Sequence, residues 1–227
     1  MVNTEKIAGV DSYVLYGVES TYATAVTADT HLGLIQSFTP TIDRQVNEAR
    51  GLKGSTTGGQ GVMKYTLGQF TSGFTVDFNT FDFSWLQFVI GARTGTGTSA
   101  DPFIYTEGNT LSSLTFSSSI DNVTTDRDSQ HLGCMINTTT IRADVGNPVT
   151  VTMDVLSGEF VKDSTVQSTV ALPTNEIVNF TGVDIERPDT TSISHIIDSV
   201  EIIFTRNPEI IYGLGSDLAK QYLTTQN

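Results

Sequence analysis

Between residues 70 and 91 the chain changes its hydrophobic period, and that change limits what the fold can be. Phe70, Phe74, Val76 and Phe78 fall on even positions with Thr71, Gly73, Thr75 and Asp77 between them, the repeat of two that a half-buried strand needs. Beyond Asn79 the apolar residues Phe81, Trp85, Phe88 and Val89 recur at steps of three and four. This spacing predicts an α-helix over about residues 81–90, with Asn79 or Thr80 as N-cap, Asp82 in the first turn and Gly91 ending it. It would be the one substantial helix, carrying the only Trp. Phe74, Phe78, Trp85 and Phe88 are then the expected core anchors.

Strand patterns dominate elsewhere. Residues 13–16 and 32–38 are short apolar runs, and Pro40 discourages continuation of the second in the middle of a sheet. Met63, Tyr65 and Leu67 are apolar on odd positions whereas Phe70 to Phe78 are even, so a bulge or corner is expected near Gly68, or one bent strand shared by two sheets. Residues 114–120, 135–145, 149–155, 166–172, 177–185 and 196–204 supply further strands, 135–145 and 149–155 forming the clearest hairpin around Gly146, Asn147 and Pro148. Ser216 could cap a short terminal helix carrying Leu218 and Tyr222. Residues 44–61 turn polar and glycine-rich and are expected to form a long inter-strand loop, of the kind that tends to be functional. No Gly-Lys-Ser/Thr closes that run, so it is not a phosphate loop.

The fold class is therefore mainly β: one domain over residues 1–227, a β-sandwich or barrel with one packed α-helix. A charged fraction of only 16% fits strands and turns better than disorder. The net charge of −13 excludes a nucleic-acid reader and disfavours an anionic membrane surface. Cys134 is the single cysteine, so no internal disulfide can form. The opening MVNTEKIAGV lacks a basic start followed by an apolar run, and no apolar stretch could span a bilayer. A soluble protein made in a cytoplasm is expected.

No chemistry emerges. His131 and Cys134 have ligand-like spacing, but no second His/Cys pair follows, and Cys134 fits a small buried hydrophobe. His31 and His195 stand alone, and no serine sits in a nucleophile elbow. An enzyme, a metal and a cofactor are all unexpected.

Several stretches together resemble the tail tube proteins of long-tailed (siphovirus-type) phages and related tailed viruses. They are YGVESTYATA near the start, the polar 44–61 run, FTVDFNTFDFSWLQFVIGA, LGCMINTTTIRADVGNPVTVTMDV, and IIFTRNPEIIYGLGSDLAKQYL, in the family's order and spacing. Members often continue with further strands where this sequence stops at Asn227. The resemblance implies a protomer that assembles into rings, commonly hexameric, which stack into a hollow tube conducting double-stranded DNA without specific binding. It also implies a virion location in the tail, with tape measure and tail terminator proteins as partners. Arg44, Glu48, Arg50 and Lys53 are then expected at inter-ring contacts, and Asp77 and Asp154 on the lumen wall. The rival reading is a surface-exposed β-sandwich adhesin or carbohydrate-binding module.

Overall fold

The computed structural model describes residues 13–51, 62–98, 100–108, 111–120, 127–162, 172–183, 192, 197–212, 214 and 218–223. Its strands are β1 (Tyr13–Val18), β2 (Thr30–His31), β3 (Gly33–Gly51), β4 (Val62–Thr80), β5 (Gly91–Thr94), β6 (Ile104–Glu107), β7 (Leu114–Ile120), β8 (Arg127–Asp144), β9 (Thr150–Ser157), β10 (Glu159–Lys162), β11 (Ser199–Thr205), β12 (Glu209–Tyr212) and β13 (Ala219–Leu223). Nine of them join in the order β2-β1-β7-β8-β9-β4-β3, with β10 and β11 also on β8. The ladders are antiparallel. The mainly β expectation holds.

One strand belongs to two sheets, and it is β8. Its first half pairs with β7 as far as Leu114↔Cys134, and its second half pairs with β9 from Met135↔Leu156 onward. Gly133, at φ 61, makes the change of direction, and a Cβ there would meet the Tyr22 ring at 2.8 Å. Glycine alone suits both demands. The strand carrying Met63 to Phe78 is therefore not the one shared by two sheets. The two sheets close on each other, with Phe74 of β4 and Phe116 of β7 meeting edge to face at 5.0 Å. Val76, Phe78, Val151, Met153 and Val155 fill the interior beside them.

Phe74, Phe78, Trp85 and Phe88 are all buried, as expected of anchors. The helix that carries two of them is much shorter than its pattern predicts. It is a 3-10 turn at Ser84–Leu86 followed by α1 (Gln87–Ile90). Asn79 and Thr80 do not cap it because both are still in β4, paired with Leu34 and Gly33. The Thr80 hydroxyl is instead used inside the core, accepting from the Trp85 indole at 3.1 Å. Gly91 ends the helix as expected, at φ 129. Arg206 donates to the carbonyls of Val89 and Ile90, satisfying acceptors that a helix end leaves open.

Four other expectations change. The 44–61 run is not all loop: β3 continues to Gly51 and β4 starts at Val62, so only residues 52–61 between them fall outside the described residues. Pro40 lies within β3 opposite Phe74 and is tolerated because β3 is an edge strand. Residues 177–183, the described part of the predicted 177–185 strand, carry only the isolated bridge Pro148↔Asn179; Asn179 caps a 3-10 turn at Phe180–Gly182 by accepting from Thr181 N at 3.0 Å. The terminal segment is strand β13, paired with β12, rather than a helix. The predicted strand at 166–172 falls almost wholly outside the described residues.

Candidate functional site

Two surfaces stand out, one polar and one apolar, and both are built on β3 and β4. Because strand side chains alternate, the residues between the core-facing Phe74, Val76 and Phe78 must point away from the core. Those residues include Thr75 and Asp77. On β9 the outward partners are Thr152, opposite Asp77, and Asp154, opposite Thr75, which makes the two acids diagonal neighbours on one face.

Hydroxyls and an amide hold both acids. Asp77 Oδ2 accepts from Ser37 Oγ at 2.5 Å and its Oδ1 from Thr152 Oγ1 at 2.6 Å. Asp154 Oδ2 accepts from Asn137 Nδ2 at 2.7 Å and its Oδ1 from Thr75 Oγ1 at 3.5 Å. Asn137 reaches Asp154 because it is the extra residue of a bulge in β8, between the pairs Ile136↔Val155 and Thr138↔Asp154. Neutral donors leave each carboxylate's negative charge in place, so this face presents charge in a fixed pattern. At its margin Arg142 pairs with Asp144 at 2.8 Å, an exposed contact worth under about 1 kcal/mol.

The second surface is an arm. Ser72↔Ser157 is the last rung that β4 shares with β9, yet β3 and β4 remain paired from Asp43↔Thr71 to Gly51↔Val62. Nine further residues of β3 extend the ribbon about 30 Å beyond the sheet. The register skips from Arg44↔Phe70 to Val46↔Leu67, so Gly68 and Gln69 oppose Gln45 alone. This is the bulge expected near Gly68. It moves the odd residues Leu67 and Tyr65 onto the face that Phe70 and Phe74 occupy, so the apolar face of the sheet runs on along the arm. Among the described residues no layer covers it there: Val46 is 60% exposed, Tyr65 65% and Leu67 63%. The Tyr212 hydroxyl anchors the base of the arm by donating to the Phe70 carbonyl at 2.9 Å.

Of the residues expected at inter-ring contacts, Arg44, Glu48 and Arg50 occupy alternate positions of β3 and so share one face of this arm. The Arg44 guanidinium lies over the Phe70 ring at 5.3 Å, Glu48 is opposite Tyr65, and Arg50 is opposite Met63 in the backbone register. Lys53 lies outside the described residues.

Sequence reasoning missed Glu19. Its carboxylate is buried and accepts from Ser113 Oγ at 2.6 Å, Thr115 Oγ1 at 2.8 Å, Gly133 N at 2.8 Å and Ala23 N at 2.9 Å. One side chain thus ties the turn after β1 to β7 and to the corner of β8. Nothing in the linear pattern announces this, because its donors are two small hydroxyls and two backbone amides, three of them far away in sequence.

His131 and Cys134 form no metal site. Cys134 Sγ donates to the His131 carbonyl at 3.3 Å, and burial raises its pKa well above the usual thiol value. The His131 ring sits among Phe38, Phe74 and Phe160, with Nδ1 3.2 Å from Ser157 Oγ. Burial lowers its pKa to about 4. Among the described residues no group of three or more His, Cys, Asp or Glu is placed to hold a metal ion, and no helix is long and apolar enough to cross a membrane.

What remains is a mainly β chain with an exposed apolar arm and a polar face of hydrogen-bonded acids. The family model for phage tail tube proteins matches residues 9–219. No curated protein matches the chain. The match favours the tube over the adhesin or carbohydrate-binding module. The chain belongs to the phage tail tube protein family, structural and non-enzymatic components of the virion tail that assemble into its tube.

Proposed function

We propose that this chain, as a single domain, builds the tube of a long-tailed phage from stacked rings of six subunits, the arm bridging one ring to the next. The observation that supports this most is the arm itself. A two-stranded ribbon is at best marginally stable alone, and one that presents Val46, Tyr65 and Leu67 to solvent gains from a covering partner. Arg44, Glu48, Arg50 and Lys53 would then lie at the inter-ring contact.

The outward face of β4 and β9 is assigned to the lumen. A wall of carboxylates held by hydroxyls repels phosphate, and passage of double-stranded DNA requires weak binding, since each neutralised phosphate adds affinity. Asp77 and Asp154 are the wall residues in this assignment. The tape measure and tail terminator proteins would meet the tube along its lumen and at its end.

Deleting residues 45–69 and joining Arg44 to Phe70, which are paired in the ribbon, through a two-residue turn tests the bridging role. Electron microscopy is expected to show single rings or short stacks of the shortened protein in place of tubes. Tubes of normal length would refute the bridging role.

A further inference from the structure

The arm needs a receptor, and the opposite end of the same sheet has the shape of one. An apolar cavity of about 330 Å³ opens there, lined by Phe83, Tyr105, Ile141, Val200, Ile202 and Phe204 among others. It is placed by topology. The arm leaves the sheet beyond the Ser72↔Ser157 rung, whereas the cavity lies by the rungs Asn79↔Thr150 and Ser199↔Asp144. The described structure leaves it open because β11 extends the sheet past the layer that covers the rest, leaving Ile202 46% exposed.

Charge separates in the same direction. Residues 43–71 carry Arg44, Arg50, Lys53 and Lys64 against Asp43 and Glu48, a net charge of +2 in a chain of −13. The rest of the chain is net acidic, and Asp198, together with Asp144 that is paired to Arg142, lines a smaller pocket that adjoins the cavity through Ala143, Val183 and Val200. A net-positive, apolar-faced projection at one end and an apolar cavity with Asp198 in the adjoining pocket at the other are complementary. Placed on one chain they make a heterologous contact, which repeats along an axis rather than closing on itself.

We infer that the receptor for the arm is this cavity on a second copy of the chain in the next ring, with apolar side chains of the arm's exposed face entering it. The inference rests on the tube reading and names the surface on which the arm lands. Arm and cavity share one long sheet, so each docking aligns the sheet of one subunit with that of the next. Aligned sheets keep the polar face continuous from ring to ring.

The test is a cross-link in the full chain carrying Leu67→Cys and Ile202→Cys, treated with a short bis-maleimide. Both sites are exposed, and the native Cys134 is buried and does not compete. Tyr65→Cys with Asp198→Cys is a second pair, and far-UV circular dichroism confirms the fold of each variant. A ladder of covalent species beyond the dimer is expected from the double variants, with neither single variant cross-linking. Tubes visible by electron microscopy without a ladder would overturn the cavity as receptor and leave the tube reading standing. Dimers formed by Leu67→Cys alone would overturn it too, since arms would then be meeting arms. Absence of both tubes and ladders would overturn the receptor and the tube reading together.

Discussion

His131 is a buried base with nothing to stabilise its charged form. Rings of Phe38, Phe74 and Phe160 surround it, and its near polar neighbour is the Ser157 hydroxyl, itself bonded to Ser72. Among the described residues its Nε2 has no hydrogen-bond partner. Desolvation therefore holds the folded pKa at about 4, below the ordinary value of 6.5. The unfolded chain takes up the proton first as pH falls, so the contribution to stability is full above pH 6.5 and is lost between pH 6.5 and 4. A shift of this size corresponds to about 3 kcal/mol. Carboxylates also titrate at the acid end of this window, so the informative quantity is a difference. Urea denaturation at pH 7 and pH 4 should show the wild type losing about 3 kcal/mol more than His131→Gln. Equal losses would mean that His131 reaches solvent.

At the scale of elements, the outward face of β4 and β9 carries its own prediction. If it lines a tube, a cysteine at residue 154 is open to small molecules diffusing along the lumen and closed to large ones. Tubes of Asp154→Cys should react with a small maleimide but not with one attached to an antibody-sized carrier. Dissociated subunits should react with both. Equal labelling of intact tubes by the large reagent would put this face outside. Alternation made the face legible in sequence, since Asp77 and Asp154 sit at the polar phase of strong repeats. The phase switch at Gly68 was legible for the same reason. The arm was not, because residues 44–51 lack an apolar repeat: their face is Arg44, Val46, Glu48 and Arg50, suited to a partner outside the protomer. The helix was over-read because Phe81, Trp85, Phe88 and Val89 share helical spacing, whereas β4 claims the chain through Thr80. The strand shared by the two sheets was placed on the wrong element, since the β8 corner depends on Gly133 meeting Tyr22, a contact between distant residues.

For the whole molecule, the distribution of apolar surface and charge carries the meaning. A chain that buries Trp85 to 1% exposure and still leaves an apolar strip along its arm is not failing to fold; in the proposed tube the remaining burial comes from copies of itself. The arm is net positive while the rest of the chain is net negative, and in the proposed tube this asymmetry orders subunits head to tail. Negative-stain electron microscopy of the purified chain across a range of protein concentrations tests this most directly. Hollow tubes with a regular axial repeat, lengthening as concentration rises, are the predicted result. Monodisperse single subunits at every concentration, with neither rings nor tubes, would contradict it.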